Sequence, residues 1–277
     1  MTLLKNSFFS CLLFSTLMIF SPSVIFAWDW LDWIWTDAIS SKELVVKDGL
    51  KYKLFANEPY TGKVKGLENG YYKNGKPDGK WKTFFKTGQI KFQGSFRQGL
   101  PIGKIEVFFE NGQKKQTGSY KKGKPHGLWK TYLPNGNVES SGSYKLGKEI
   151  GKWKFKNDIG QLLWENTWIY GENVFQTKFV YHLNGLLSEK INFKVDQLDG
   201  PYESYWSNGQ IKVRGIHSNN KKTGRWEGYY SSGQIQYYHF YKDGKEHGEW
   251  QFYNENSQLE SRKTYAYGRL IKNEKFN

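Results

Sequence analysis

Cysteine is all but missing from this chain. Its single copy, Cys11, lies in the apolar N-terminal stretch, so the remainder has no disulfide, no thiolate-bound metal and no cysteine nucleophile. Histidine is scarce too: His126, His182, His217, His239 and His247 are the only copies, and no two stand four apart. That excludes the His-x-x-x-His metal motif on a helix. No Gly-x-Ser-x-Gly elbow and no kinase-type catalytic loop occurs. Acidic residues are outnumbered, 26 against 41 basic ones, for a net charge of +15. No catalytic residue, no metal ligand and no cofactor is expected.

What is present is aromatic and glycine-rich. The 277 residues include 12 Trp, 19 Tyr, 19 Phe and 30 Gly, yet mean hydropathy is only -0.74. Disordered chains are poor in aromatics. A polar chain of this kind reads as many short strands joined by glycine turns, with rings supplying the buried surface.

The residues recur in phase. Units start at Gly79, Gly103, Gly127, Gly151, Gln176, Gly200, Gly224 and Gly248, 24 residues apart except for one step of 25. Counting each start as position zero, a second glycine stands at position nine: Gly88, Gly112, Gly136, Gly160, Gly185, Gly209 and Gly233. A third stands at position twenty, as in Gly99, Gly123, Gly147, Gly171 and Gly244. The second is often part of Asn-Gly, the strongest short hairpin signal, and a type I′ turn with φ > 0 at both central residues is expected there. The third, among Lys, Pro and His, turns the chain into the next unit. Each unit is thus one hairpin, and successive hairpins join edge to edge.

Rings keep the same phase. Trp81, Trp129, Trp153, Tyr202, Trp226 and Trp250 occupy position two; Phe84, Phe108, Tyr132, Tyr181, Tyr205, Tyr229 and Tyr253 occupy position five; Phe96, Tyr120, Tyr144, Trp168, Phe193 and Tyr241 occupy position seventeen. In a stacked sheet equal positions form rows. Positions two and five differ in parity, so rings are expected on both faces. The fold class is all-β: an elongated, single-layer antiparallel sheet of stacked hairpins.

The pattern Gly-x-Trp-x-x-Tyr-x-x-Asn-Gly followed by Gly-x-Tyr-x-x-Gly-Lys resembles the MORN-repeat variant family, from Gly79 to about Tyr267 and, through Tyr60-Thr61-Gly62-Lys63-Val64, somewhat earlier. The resemblance is specific for the repeat and not for one function. It implies binding or scaffolding; some bacterial proteins of this type are labelled antitoxins, and the related eukaryotic repeats are linked to membrane attachment.

The first 27 residues have a basic start at Lys5, an apolar segment from Phe8 to Phe20, a break at Ser21-Pro22-Ser23 and a small residue at Ala27. This is the anatomy of a secretory signal peptide, with an uncleaved membrane anchor as the alternative. The organisation expected is therefore a leader over 1–27, a Trp-rich cap and hairpin over 28–61, the repeat array over 62–268 and a tail over 269–277. The cap contains Trp28, Trp30, Trp33 and Trp35, and its hairpin turns at Asp48-Gly49.

All inter-repeat turns fall on one edge of such a sheet, and most of the excess positive charge falls with them. Lys121, Lys122, Lys124, Lys145, Lys148, Lys221, Lys222 and Arg225 are the candidate edge for an anionic partner. Lysine in surface turns also protects a sheet and keeps it soluble. The function expected is a non-enzymatic, extracytoplasmic binding or scaffold protein. Its partner would be a protein or an anionic envelope surface, with peripheral membrane contact and no nucleic acid. An antitoxin or immunity protein is the alternative.

Overall fold

The computed structural model describes residues 38–276. The leader and the Trp28–Trp35 cluster lie outside the described residues, and the unit that begins at Ile39 is described by itself. It is nearly all strand. From Gly62–Lys65 to Arg269–Lys275, each strand pairs antiparallel with its neighbours in chain order, so the sheet is an open meander. Arg269–Lys275, placed beyond the array as a tail by sequence, is its last strand, paired with Leu259–Ala266.

The expected Asp48-Gly49 hairpin joins Leu44–Lys47 to Leu50–Lys53 as a separate two-stranded sheet. It is tied to the array by Lys51 N–H donating to the Gly75 carbonyl (3.0 Å) and Tyr60 N–H to the Lys51 carbonyl (2.7 Å). Leu44 and Tyr60 thereby reach Val64, Tyr72 and Trp81, and bury the first end of the ring ladder.

The turn chemistry corrects one expectation. Type I′ geometry belongs to the third-glycine turns, not to Asn-Gly. Both central residues have positive φ at Asn74-Gly75, Lys122-Gly123, Leu146-Gly147 and Asp243-Gly244, whereas Asn111, Asn135, Asn184 and Asn208 do not. At Asn-Gly the loop is one residue longer. Gly112 N–H donates to the Phe109 carbonyl (3.0 Å) while Phe109 N–H donates to the Gln113 carbonyl (2.8 Å). That is a type I turn closed by a left-handed glycine, Gly112 at φ 82°. The asparagine serves differently. Its Oδ1 accepts from the N–H two residues on, as Asn135 does from Asn137 (3.0 Å), and its Nδ2 donates to the next unit's loop, Asn135 to the Asp158 carbonyl (3.2 Å). Asn111, Asn184 and Asn208 repeat the tie at Pro134, Ser207 and Ser231.

The start glycines mark bulges. Gly151, Lys152 and Trp153 together stand against the single residue Gly142 of the preceding strand, and Gly151 has φ 65°. The bulge lays the Trp153 indole flat over Gly142, where a Cβ would come within 2.0 Å of the ring. The same close approach occurs at Gly70 under Trp81, Gly118 under Trp129 and Gly215 under Trp226. Each of the indoles Trp129, Trp153 and Trp226 donates its Nε1–H to a backbone carbonyl of that strand, at 3.2–3.3 Å.

Positions two and five lie on opposite faces, as expected. On the first face position-two and position-seventeen rings alternate edge to face: Tyr120–Trp129 5.2 Å, Trp129–Tyr144 5.8 Å and Tyr144–Trp153 5.0 Å. Such pairs contribute about 0.5–1.5 kcal/mol each beyond their burial. The row resumes from Tyr202 through His217, Trp226, Tyr241 and Trp250 to Tyr265. Between the two runs the unit starting at Gln176 has Lys178 at position two, its ammonium over the Trp164 ring.

Candidate binding surfaces

Two edges and two faces are available to a partner. The Asn-Gly edge is tied internally: besides the asparagine bonds, His182, Trp206 and Tyr230 at position six bond the carbonyls of Tyr205, Tyr229 and Tyr253 one unit on, at 2.8–3.0 Å. Sequence reading missed this row, although its period was visible. Its polar groups are occupied by the next hairpin.

The type I′ edge differs. Lys121 pairs across its turn with Lys124, and Lys145 with Lys148, all four exposed. Lys122 sits in the turn itself at φ 53°. Among the described residues no acid lies within ion-pair distance of these five. The stem of Lys148 lies over Gly171 and that of Lys124 over Gly147, so each lysine covers the next turn.

Lys221, Lys222 and Arg225 form a second group, separated from the first by the turns at Tyr170-Gly171 and Val195-Asp196. Lys222 is drawn to the first face, with Nζ 4.3 Å from the Trp226 ring centre and 5.2 Å from that of Tyr241. Burial there lowers its pKa. Arg225 is drawn to the second face, over Tyr238 at 3.7 Å and paired with Glu227 at 3.0 Å. The candidate edge is therefore one compact lysine group plus a second group partly committed to packing.

The second face carries positions one, three, five and fourteen. In its C-terminal half these form a charge-balanced network. Glu227 receives Arg214, Arg225 and the Tyr229 hydroxyl (2.6 Å), and Lys190 pairs with Glu203 at 3.4 Å. Burial alone would raise the Glu227 carboxyl; the Tyr229 and arginine partners outweigh it and hold the group low. Burial and the neighbouring glutamates push Tyr205 and Tyr229 up to about 12.

On the first face His239 stands at the position where four other units have glycine, Gly94, Gly118, Gly142 and Gly215. It is sandwiched between Tyr237 (4.1 Å) and Trp250 (3.7 Å). Burial, then Lys222 and Lys263, lowers its pKa to about 4. The shifts of Tyr205, Tyr229 and His239 are thus explained by burial and by neighbouring charges within the sheet. Among the described residues no group of three or more His, Cys, Asp or Glu comes together as a metal site.

An open sheet of in-phase hairpins, capped at one end and stapled by glycine-backed tryptophans, defines a β-repeat protein. Six segments, residues 77–98, 101–122, 125–146, 198–219, 222–243 and 246–267, match the MORN repeat variant family. The chain belongs to the MORN-repeat family. The two middle units, from Gly151 and Gln176, fall between the matched segments. Comparison with curated proteins gives no match. Among solved structures, a Photorhabdus luminescens Tc holotoxin pore aligns over 72% of this chain and 12% of its own, at 12% identity and TM-score 0.24. The crystal structure of TcdB2-TccC3-TEV aligns over 73% and 13%, at 11% identity and TM-score 0.21. This chain spans about an eighth of those proteins. MORN repeats are consistent with a repeat-based binding or scaffold role.

Proposed function

We propose that this chain is a non-enzymatic, extracytoplasmic binding or scaffold protein that engages a protein partner or an anionic envelope surface through its sheet and its lysine-bearing turns. The observation that carries this reading is the type I′ edge. Lys121, Lys122, Lys124, Lys145 and Lys148 are exposed side by side on two consecutive turns, with no acid paired to them among the described residues. Unpaired cations held on a rigid scaffold attract anionic surfaces, and the attraction is screened by salt. Rings and glycines are committed to holding the sheet, which leaves the turns free for recognition.

The test is fractionation of the expressed full chain, then affinity capture from the compartment where it is found. Recovery outside the cytoplasm and capture that weakens between 0.05 and 0.5 M salt are expected, given a Debye length falling from over 10 Å to a few Å. Recovery in cytosol alone would overturn the export, and salt-insensitive capture would overturn the role of the lysines.

A further inference from the structure

The positive charge is not only at the turns. The alternation set by the bulges places positions one and three on the second face, which the ion pairs of Lys152 and Lys154 with Glu165 confirm. In the four units from Gly79 these positions hold Lys80, Lys82, Lys104, Glu106, Leu128, Lys130, Lys152 and Lys154: six lysines, one glutamate and one leucine. In the three units from Gly200 the charged residues at these positions are Glu203, Arg225, Glu227 and Glu249, one arginine and three glutamates, beside Pro201 and Gln251. The turn-flanking Lys121, Lys124, Lys145 and Lys148 point to the same face, since Tyr120 and Tyr144 one residue earlier are on the other. Hydroxyls are interleaved: Lys80 pairs with Ser95, Lys104 with Ser119 and Lys152 with Thr167 across strands. Lys80, Lys82, Lys104, Lys152 and Lys154 are exposed.

We propose that the second face of the units between Gly79 and Lys156 is a docking strip for a linear acidic polysaccharide. Charge complementarity carries the assignment, and the strip's form selects the occupant. Equivalent lysines of successive units are about 10 Å apart, two strands at ~4.8 Å. Neighbouring strands rotate by ~20° relative to one another, so over eight strands the face turns through more than a right angle. A planar membrane meets only part of such a strip; a flexible chain follows all of it. Single-stranded nucleic acid binds through exposed rings as well as cations, and no aromatic residue between 76 and 156 is exposed. The cations are lysines, apart from Arg97 near the turn. Lysine is a mobile point charge that does not need the fixed bidentate geometry through which arginine selects phosphate. Lysine and hydroxyl rows therefore suit repeated carboxylates or sulfates among sugar hydroxyls.

This inference rests on the binding reading above, and its test separates the two. The full chain is titrated with polygalacturonate, uncharged dextran, phosphatidylglycerol vesicles and oligothymidylate. Three variants accompany it: a face variant with Lys80→Gln, Lys104→Gln and Lys152→Gln, its Lys→Arg counterpart, and a turn variant with Lys122→Gln and Lys221→Gln. Expected are salt-sensitive polygalacturonate binding, at least tenfold weaker in the face glutamine variant and retained in the arginine one, and no dextran binding. The turn variant should change it less than threefold. An unchanged far-UV spectrum shows that each variant is folded. Absence of polygalacturonate binding, or tighter binding to vesicles or oligothymidylate, would overturn the strip. Loss in the turn variant alone would overturn it while supporting the lysine edge.

Discussion

Glycine does three separate jobs in the repeat (turn, bulge and seat of an indole), and substitution separates them. Gly142 has ordinary φ but no room, because Trp153 lies against it. Gly127 has φ 77° and nothing within 4 Å of a Cβ. Gly142→Ala should therefore cost on the order of 3 kcal/mol, comparable to losing a packed tryptophan, and Gly127→Ala about 1 kcal/mol of left-handed strain. Urea titration followed by Trp fluorescence gives the order. His239 offers a second test. Its folded pKa of about 4 lies below the unfolded 6.5, so between these values the unfolded chain binds a proton that the folded chain refuses. Stability should be full above pH 6.5, fall as pH drops towards 4 and level off below. His239→Gly, which places there the glycine of four other units, should flatten that part of the pH profile in thermal melts.

At the level of the hairpin, the type I′ turns show where sequence and backbone conflict. Asn74-Gly75 suits positive φ at both positions. Leu146 at φ 51° and Val195 at φ 47° do not, and a β-branched residue is the worst choice there. Val195→Asn should stabilise the chain by about 1 kcal/mol, seen as a rise in melting temperature. A null or negative shift would mean that the strain is relieved in a way this turn does not show. The Asn-Gly loops reverse the expectation drawn from the dipeptide alone. A three-residue loop is closed by the glycine, and the asparagine is kept for bonding the next loop, 23 residues on in the chain. The dipeptide was legible; which turn it made depended on the pairing around it.

For the whole sheet, contacts run only between neighbours, so stability is approximately a sum of unit and interface terms. Removing residues 127–150 joins His126 to Gly151 in phase and brings Tyr120 beside Trp153, as Tyr120 now stands beside Trp129. That deletion should leave the β-type far-UV spectrum and a single, lower thermal transition. A deletion of residues 127–138 breaks the phase and should leave an unfolded or aggregating chain. The free side of Arg269–Lys275 carries Lys272 and Lys275, charges that discourage edge-to-edge pairing.

The spacing of glycines and rings alone determined the hairpin unit, the stacking order and the two ringed faces, because each depends on residues close in sequence or repeated at one period. The rest needed three dimensions. The register across strands decided that the start glycine is a bulge, that a further glycine is the seat of an indole, and that Asn-Gly is not type I′. It also decided which lysines share a face, because parity can be carried through a bulge only when the number of residues opposing each other is known. Charges that sequence assigned to an edge thus became an edge and a face, through side-chain direction, a property of paired backbones rather than of composition.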